Sequence, residues 1–344
     1  MAHFAFAPII TDSTLMSFKE ALKKSVLVQD GALGTQLEAL IPLDDPHSVK
    51  GLPLWSTNAL LYSPELISSI HKQYVEAGAD MIITATYQAS PQTLSKYENM
   101  DLAQAKKVWT KSVECALEAT RTHPEKKIFI GGSIGPYGAY LANGAEYSGD
   151  YGDISLDQLM DYHRDIVRFY AETKEVDVIA FETVPNFAEV QAIFSLIEQM
   201  FNANLHKEFY VSLSCKDADH LVDGTPLEQV IRYILSKKSS QISDNLVGIG
   251  CNCVPFEIVS DFIETVNRVC QNNGSEQLSL LVYPNLGFEP TDTANYAFRS
   301  STEKWASSVA KWALYSNVRV IGGCCSTGPA EIAQIKDVVE KIKS

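Results

Sequence analysis

The sequence predicts one parallel α/β barrel of eight strand–helix units, a (β/α)8 or TIM barrel, with long βα loops after strands 1 and 3. Three observations carry this. Eight short apolar, β-branched runs recur along the 344 residues, each followed by a helix-like segment. The runs lack polar alternation, as expected of parallel strands buried on both faces. The first strand–helix junction, Gly31-Ala32-Leu33-Gly34-Thr35, lacks the GxGxxG spacing of an open, dinucleotide-binding sheet.

The first run is Val26 to Gly31, preceded by an N-terminal lead-in (residues 1–25) and followed by a long, Pro-containing connection over 36–62. Ser63-Pro64-Glu65 opens a helix, with a cap residue and Pro in the first turn, that closes at Ala77-Gly78-Ala79-Asp80. Met81 to Thr86 is the second strand, and a helix spans Asp101 to Thr122. Ile128 to Ser133 is the third, with a Gly/Tyr-rich connection over 135–154 before the helix Ser155 to Lys174. Strands at Val178 to Thr183, Phe209 to Ser214 and Leu246 to Cys253 precede helices at Phe187 to Phe201, Pro226 to Lys238 and Pro255 to Gln271. Leu278 to Pro284 and Val318 to Cys325 complete the strands. The last helices run Thr302 to Tyr315 and Pro329 to Ile342, the latter with Thr327 as cap. Nothing divides the chain, so residues 1–344 read as one domain with its core over about 26–344. Alternation eight times over closes a barrel.

Composition narrows the function. With 42 acidic and 28 basic residues the net charge is −14, which argues against a nucleic-acid partner. No apolar run reaches the roughly 18 residues of a membrane span. The N-terminus has no basic stretch and reads as neither signal nor transit peptide, so a cytoplasmic protein is expected. Seven cysteines are an odd number, and in a reducing compartment a cluster of them points to metal or catalysis.

Active-site residues of such barrels lie at the C-terminal ends of strands. Those ends offer Asp30, Thr84, Thr86, Ser133, Glu182, Ser214, Cys215, Asn252, Cys253, Asn285 and the pair Cys324-Cys325. Three cysteines from two strands therefore meet on one rim. Three thiolates suit tetrahedral Zn²⁺ with one position open to substrate. Adjacent residues on a strand face opposite ways, so Cys324 and Cys325 need a bend, which Gly322-Gly323 would permit. Taken alone, the pair reads rather as packed free thiols. Gly-Gly before it and Asn-Cys at another strand end favour a metal.

Asp30-Gly31-Ala32-Leu33-Gly34-Thr35, Phe181-Glu182-Thr183, Asn252-Cys253, Pro284-Asn285-Leu286-Gly287 and Gly322-Gly323-Cys324-Cys325 resemble, in order, the motifs of the homocysteine S-methyltransferase family. His71 to Gln88 resembles its second βα region, and the match runs from about residue 26 to the C-terminus. The branch it resembles most uses S-methylmethionine or S-adenosylmethionine as methyl donor.

The resemblance implies one zinc ion per chain on Cys253, Cys324 and Cys325, with the homocysteine sulfur as fourth ligand and methionine as product. Asn285 would stand at or near the open position before substrate arrives. Asp30 and Glu182 would meet the substrate ammonium, and the backbone at Gly31 and the Thr84 hydroxyl its carboxylate. Aromatic faces bind cations, so Trp55, Tyr87, Tyr137 and Tyr140 are candidate contacts of the sulfonium donor, with Gln88 beside them. Tyr87-Gln88 stands where betaine-using relatives resemble Phe-Tyr, which argues against betaine. The chain stops after the eighth helix without the extension through which betaine-type relatives oligomerise, so a monomer is expected. Two other readings are a selenocysteine methyltransferase on the same site and a non-catalytic zinc-binding barrel.

Overall fold

The computed structural model describes residues 16–237, 241–286, 288–290, 296–298 and 302–343. Eight parallel strands form one sheet: β1 (Leu27–Val28), β2 (Met81–Ile83), β3 (Phe129–Ile134), β4 (Val178–Val184), β5 (Glu208–Leu213), β6 (Leu246–Pro255), β7 (Leu280–Asn285) and β8 (Val318–Ile321). Each pairs with its sequence neighbour from β2 to β8, and β8 pairs with β1. The ring closes where Gln29 bridges Met81 and the Asp30 amide donates to the Met81 carbonyl at 2.9 Å. Asp80 helps close it, its carboxylate accepting from the Val28 amide at 2.9 Å. The barrel expected from the eight runs is the barrel observed.

The pleat sorts each strand into two faces. On β4, Val178 and Ala180 join an interior cluster with Met81, Phe129, Tyr210 and Tyr283. The intervening Ile179 and Phe181 pack outward, against the surrounding helices. The next inward position on β4 is Glu182, so apolar filling gives way to polar groups towards the C-terminal mouth. The lead-in is more than an approach to β1: the helix Phe18–Lys24 sets Phe18, Ala21 and Leu22 into the interior cluster from the opposite end. Phe18 meets Phe129 edge-on at 5.2 Å between centroids, and a Ser17–Glu20 capping box starts the helix.

The principal helices follow the expected pattern, with capping boxes at Asp101–Gln104 and Ser155–Gln158 and Pro64 at the first position of Pro64–Glu76. Ser63 stands before that helix without capping it through its side chain. Thr327 likewise turns its hydroxyl back to the Cys324 carbonyl, at 2.6 Å. The two long connections are partly helical. Leu33–Leu40 and Ser56–Tyr62 occupy the first, Tyr137–Leu141 and Ala145–Ser148 the second. Their N-cap residues are Ala32, Trp55, Pro136 and Gly144, none with a capping side-chain bond, so the usual start signal is missing. Pro91–Glu98 is a further helix, capped by Ser90. Among the described residues no helix is long and apolar enough to cross a membrane.

The plug yields a stability prediction. Phe18→Ala should lower unfolding free energy by about 3 kcal/mol in urea, as for other buried Phe truncations. The exposed Leu314→Ala should change it by less than about 0.5 kcal/mol. Equal effects of the two would show that the helix does not seal the barrel.

Candidate metal centre and active site

At the C-terminal mouth the chain makes a local departure from strand geometry three times. Thr183 (φ 57°), Cys253 (φ 54°) and Ser326 (φ 71°) are left-handed, an uncommon state for residues other than Gly and a strained one for β-branched Thr. At these places consecutive residues face one cavity of about 710 Å³: Glu182 with Thr183, Asn252 with Cys253, and Cys324 with Cys325. The Asn252 side chain ties two of the departures together. Its Oδ1 accepts from the Thr183 amide at 2.7 Å, and its Nδ2 donates to the Thr183 hydroxyl at 2.8 Å.

The last departure corrects the expected role of Gly322-Gly323. Strand β8 ends at Ile321, and neither glycine takes positive φ. They are small because neighbours are close. A Cβ on Gly322 would fall 2.7 Å from Cβ of Gln29, and one on Gly323 2.1 Å from Oγ1 of Thr327. Beyond them the backbone is pinned to both flanking strand ends. Gly323 N donates to the Asp30 carbonyl at 3.1 Å and Cys324 N to the Pro284 carbonyl at 2.8 Å.

The sulfur atoms meet as a result. Cys253 Sγ lies 3.5 Å from Cys325 Sγ, Cys324 Sγ lies 4.0 Å from it, and all three fall within 4.8 Å of one another. Thiolates around tetrahedral zinc, at about 2.3 Å from the ion, are roughly 3.8 Å apart, so the trio fits such a metal. The proton balance fits too. S–H bonds from Cys324 and Cys325 hold the Cys253 thiol well below its ordinary range, while those two are pushed up. A divalent metal bound there would displace the remaining thiol protons. Asn285 donates from Nδ2 to the Cys253 carbonyl at 3.0 Å, which braces that ligand's backbone.

Asp30 and Glu182 line the same cavity, each more than nine-tenths buried, with no Lys or Arg paired to either among the described residues. Burial pushes Asp30 well above the usual carboxylate range, against the Ile83 amide bond of 3.0 Å that favours its ionised form. Burial likewise takes Glu182 up to about 7, opposed first by the hydrogen bond it accepts from the Ser133 hydroxyl. His71 Nδ1 is 3.9 Å from the Asp30 carboxylate, but burial lowers the imidazole to about 4, so it stays neutral and supplies no positive charge to the acid. Thr84 lines the cavity with its hydroxyl already engaged: Thr86 Oγ1 at 2.8 Å, Tyr170 OH at 3.0 Å and the Ser133 amide at 2.9 Å.

Among the aromatic candidates, Trp55 and Tyr87 line this cavity and a wider one outside it; Gln88 lines only the outer. Tyr137 and Tyr140 line neither. They pack with Tyr151 and Tyr162 at 5.4–6.1 Å, where apolar ring surface is buried against its own kind. Sequence reasoning missed Tyr147, which borders both cavities beside Cys253, and Tyr283, whose inward place on β7 follows from strand alternation.

A closed parallel barrel gathers at its C-terminal face three thiols at metal-ligand spacing and two buried acids, the frame of an enzyme with a potential metal site. The sequence model described as homocysteine S-methyltransferase matches residues 27–339, and the chain belongs to that family of methyltransferases. It is 35% identical over 323 residues to homocysteine S-methyltransferase of Escherichia coli (strain K12), spanning 91% of this chain and 95% of that protein. It is 34% identical over 349 residues to selenocysteine Se-methyltransferase of Brassica oleracea var. italica, spanning 94% and 92%. The crystal structure of the metallated form of the Escherichia coli homocysteine methyltransferase MmuM superposes with a TM-score of 0.73 at 34% identity, covering 92% of this chain and 96% of that one.

The Asn252 clamp can be tested through metal affinity. Asn252→Ala leaves the three thiols but frees two strained residues, so zinc affinity should fall about 10- to 100-fold, as for other outer-shell losses. Competition against a chromophoric chelator measures this; unchanged affinity would show that the clamp does not set the thiol geometry.

Proposed function

We propose that the protein transfers a methyl group from a sulfonium donor, S-methylmethionine or S-adenosylmethionine, to the sulfur of homocysteine, giving methionine. The observation that carries this is the juxtaposition of three thiols at tetrahedral-ligand spacing with two buried carboxylates that lack a cation. Cys253, Cys324 and Cys325 would hold zinc, which when bound would keep the acceptor sulfur in its thiolate form near neutral pH. Asp30 and Glu182 receive the acceptor's ammonium and fix its distance from the cysteines. The Gly31 amide and Thr84 take the carboxylate, Thr84 by exchanging its bond to Thr86. Asn285 keeps Cys253 in place.

The reaction is one displacement. A bond forms between the acceptor sulfur and the methyl carbon as the carbon–sulfonium bond breaks. That electron pair stays on the donor sulfur, now a neutral thioether, and the thiol proton goes to solvent. Opposite charges cancel along the path, so the protein's task is alignment in a dry pocket rather than proton transfer. The kinship to selenocysteine methyltransferases favours a second acceptor, selenocysteine, on the same site.

The decisive assay is methionine formation from homocysteine with S-methylmethionine, S-adenosylmethionine and betaine, alongside zinc content, for the native protein and Cys253→Ala. Turnover with sulfonium donors, lost together with zinc in the variant, is expected. Bound zinc without turnover on any donor would reject the reading. Competition by selenocysteine in the same assay ranks the two acceptors.

A pH dependence follows from Glu182. Below about pH 7 its carboxylate takes a proton and no longer pairs with an ammonium. For homocysteine, kcat/KM should therefore fall towards tenfold per unit as pH drops beneath that value. Glu182→Gln should raise homocysteine KM and lose that limb; a limb that persists unchanged would assign it to another group.

A further inference from the structure

Outside the inner cavity lies a wider one, of about 1410 Å³ and open to solvent, walled in part by Glu38, Lys50, Trp55, Tyr87, Glu146 and Tyr147. Trp55, Tyr87, Tyr147 and Cys325 border both spaces, so the two meet at one of the three thiols. Asp30 and Glu182 line only the inner space, and Glu146 only the outer. Cys325 thus stands between two separate sets of carboxylates. Resting on the methyl transfer proposed above, we infer that the outer chamber docks the methyl donor. We further infer that Glu146 receives a second positive group of that donor, an α-ammonium, so that the site selects amino-acid sulfoniums over betaine.

Position supports this first. An in-line displacement needs the donor methyl beside the acceptor sulfur in space the acceptor does not fill, and the outer chamber borders Cys325 without touching Asp30 or Glu182. Chemistry supports it next. Glu146 Oε2 is buried without a hydrogen-bond partner, whereas Glu38 already accepts from the Trp55 indole at 2.8 Å. A buried carboxylate oxygen of this kind calls for a charged donor. An α-ammonium has N–H groups to give and betaine's quaternary nitrogen has none. The faces of Trp55, Tyr87 and Tyr147 suit the sulfonium itself.

The wall that carries Glu146 is built rather than loose. Gly138 lets the helix Tyr137–Leu141 approach so closely that a Cβ there would fall 2.5 Å from the Glu146 amide nitrogen. Asn186 Nδ2 holds the Gly149 carbonyl at 3.0 Å. Fully buried Glu189 accepts from the Tyr137 amide at 2.6 Å and the Tyr151 hydroxyl at 2.5 Å, with His163 at 2.8 Å, and so ties both ends of the segment to the barrel helices.

The test is a double dissociation by steady-state kinetics with S-methylmethionine and homocysteine. Glu146→Gln should raise the KM of S-methylmethionine about tenfold, the scale of one charge-assisted hydrogen bond, with the lost rate recovered at saturating donor. Its homocysteine KM should stay within twofold. Glu182→Gln should do the reverse. An unchanged donor KM in Glu146→Gln, or equal shifts in both, overturns the assignment. Absence of turnover in the native protein with every sulfonium donor rejects the underlying reaction instead, before any variant is compared. Should Glu146→Gln fail to fold, the native protein decides. Dimethylsulfoniopropionate keeps the sulfonium and carboxylate but lacks the ammonium, and should compete with S-methylmethionine at least tenfold more weakly than unlabelled S-methylmethionine competes with a labelled sample. Equal potency overturns the role of Glu146.

Discussion

A parallel strand presents one side chain in two to the inside of a barrel, yet this mouth needs neighbours to face the same way. The reciprocal hydrogen bonds between Asn252 and Thr183 meet that need, because they span two strand ends and hold left-handed backbone at both. Left-handed backbone costs about 1–2 kcal/mol per residue outside glycine, comparable to what two buried hydrogen bonds return. The cost and its compensation sit at one place. Cys253 reaches the two C-terminal thiols only because that balance holds, and the acids, cavity walls and both chambers are arranged around the result.

Charge is the second constraint. The inner cavity collects two acids, each more than nine-tenths buried, and three thiols, with a neutral imidazole beside them. Glu182 carries the cost openly. Its folded value, about 7, lies above the ordinary 4.5, so the native state holds the proton more tightly than the unfolded chain. Stability without ligand therefore falls as pH rises from about 4.5 to 7, and an ammonium bound to Glu182 restores it. The proposed ammonium contact would relieve that cost.

Much of this was legible in the sequence. Parallel strands buried on both faces must be apolar, so eight strands could be read directly; the cysteines, Asp30 and Glu182 followed as their C-terminal residues. What escaped notice is instructive. Gly322-Gly323 looked like a flexible bend, whereas the constraint is the proximity of Gln29 and Thr327, which no local pattern encodes. Tyr137 and Tyr140 resembled donor contacts because they lie in a loop at the right mouth, yet their rings turn to Tyr151 and Tyr162. Glu146 and Tyr147 sit on a four-residue helix opened by Gly144, too short for periodicity and without a capping side chain. Their importance comes from tertiary contacts alone.

Those contacts bear on how the proposed one-step displacement would be accelerated. With no general base required, rate depends on bringing two charged molecules into line, and the entropy of doing so is lowered if the walls are fixed beforehand. The proposed acceptor side is fixed by strand ends. The proposed donor side is a connection between β3 and the next helix, which would ordinarily be mobile. Here Glu189, at the first turn of Phe187–Asn202, gathers the Tyr137 amide, the Tyr151 hydroxyl and the His163 ring onto one buried carboxylate. The helix N-terminus favours the negative charge there, so the anchor is stable where it stands. A segment between those two tyrosines has its ends set by folding, and Glu146 and Tyr147 inherit that order at the edge of the thiols.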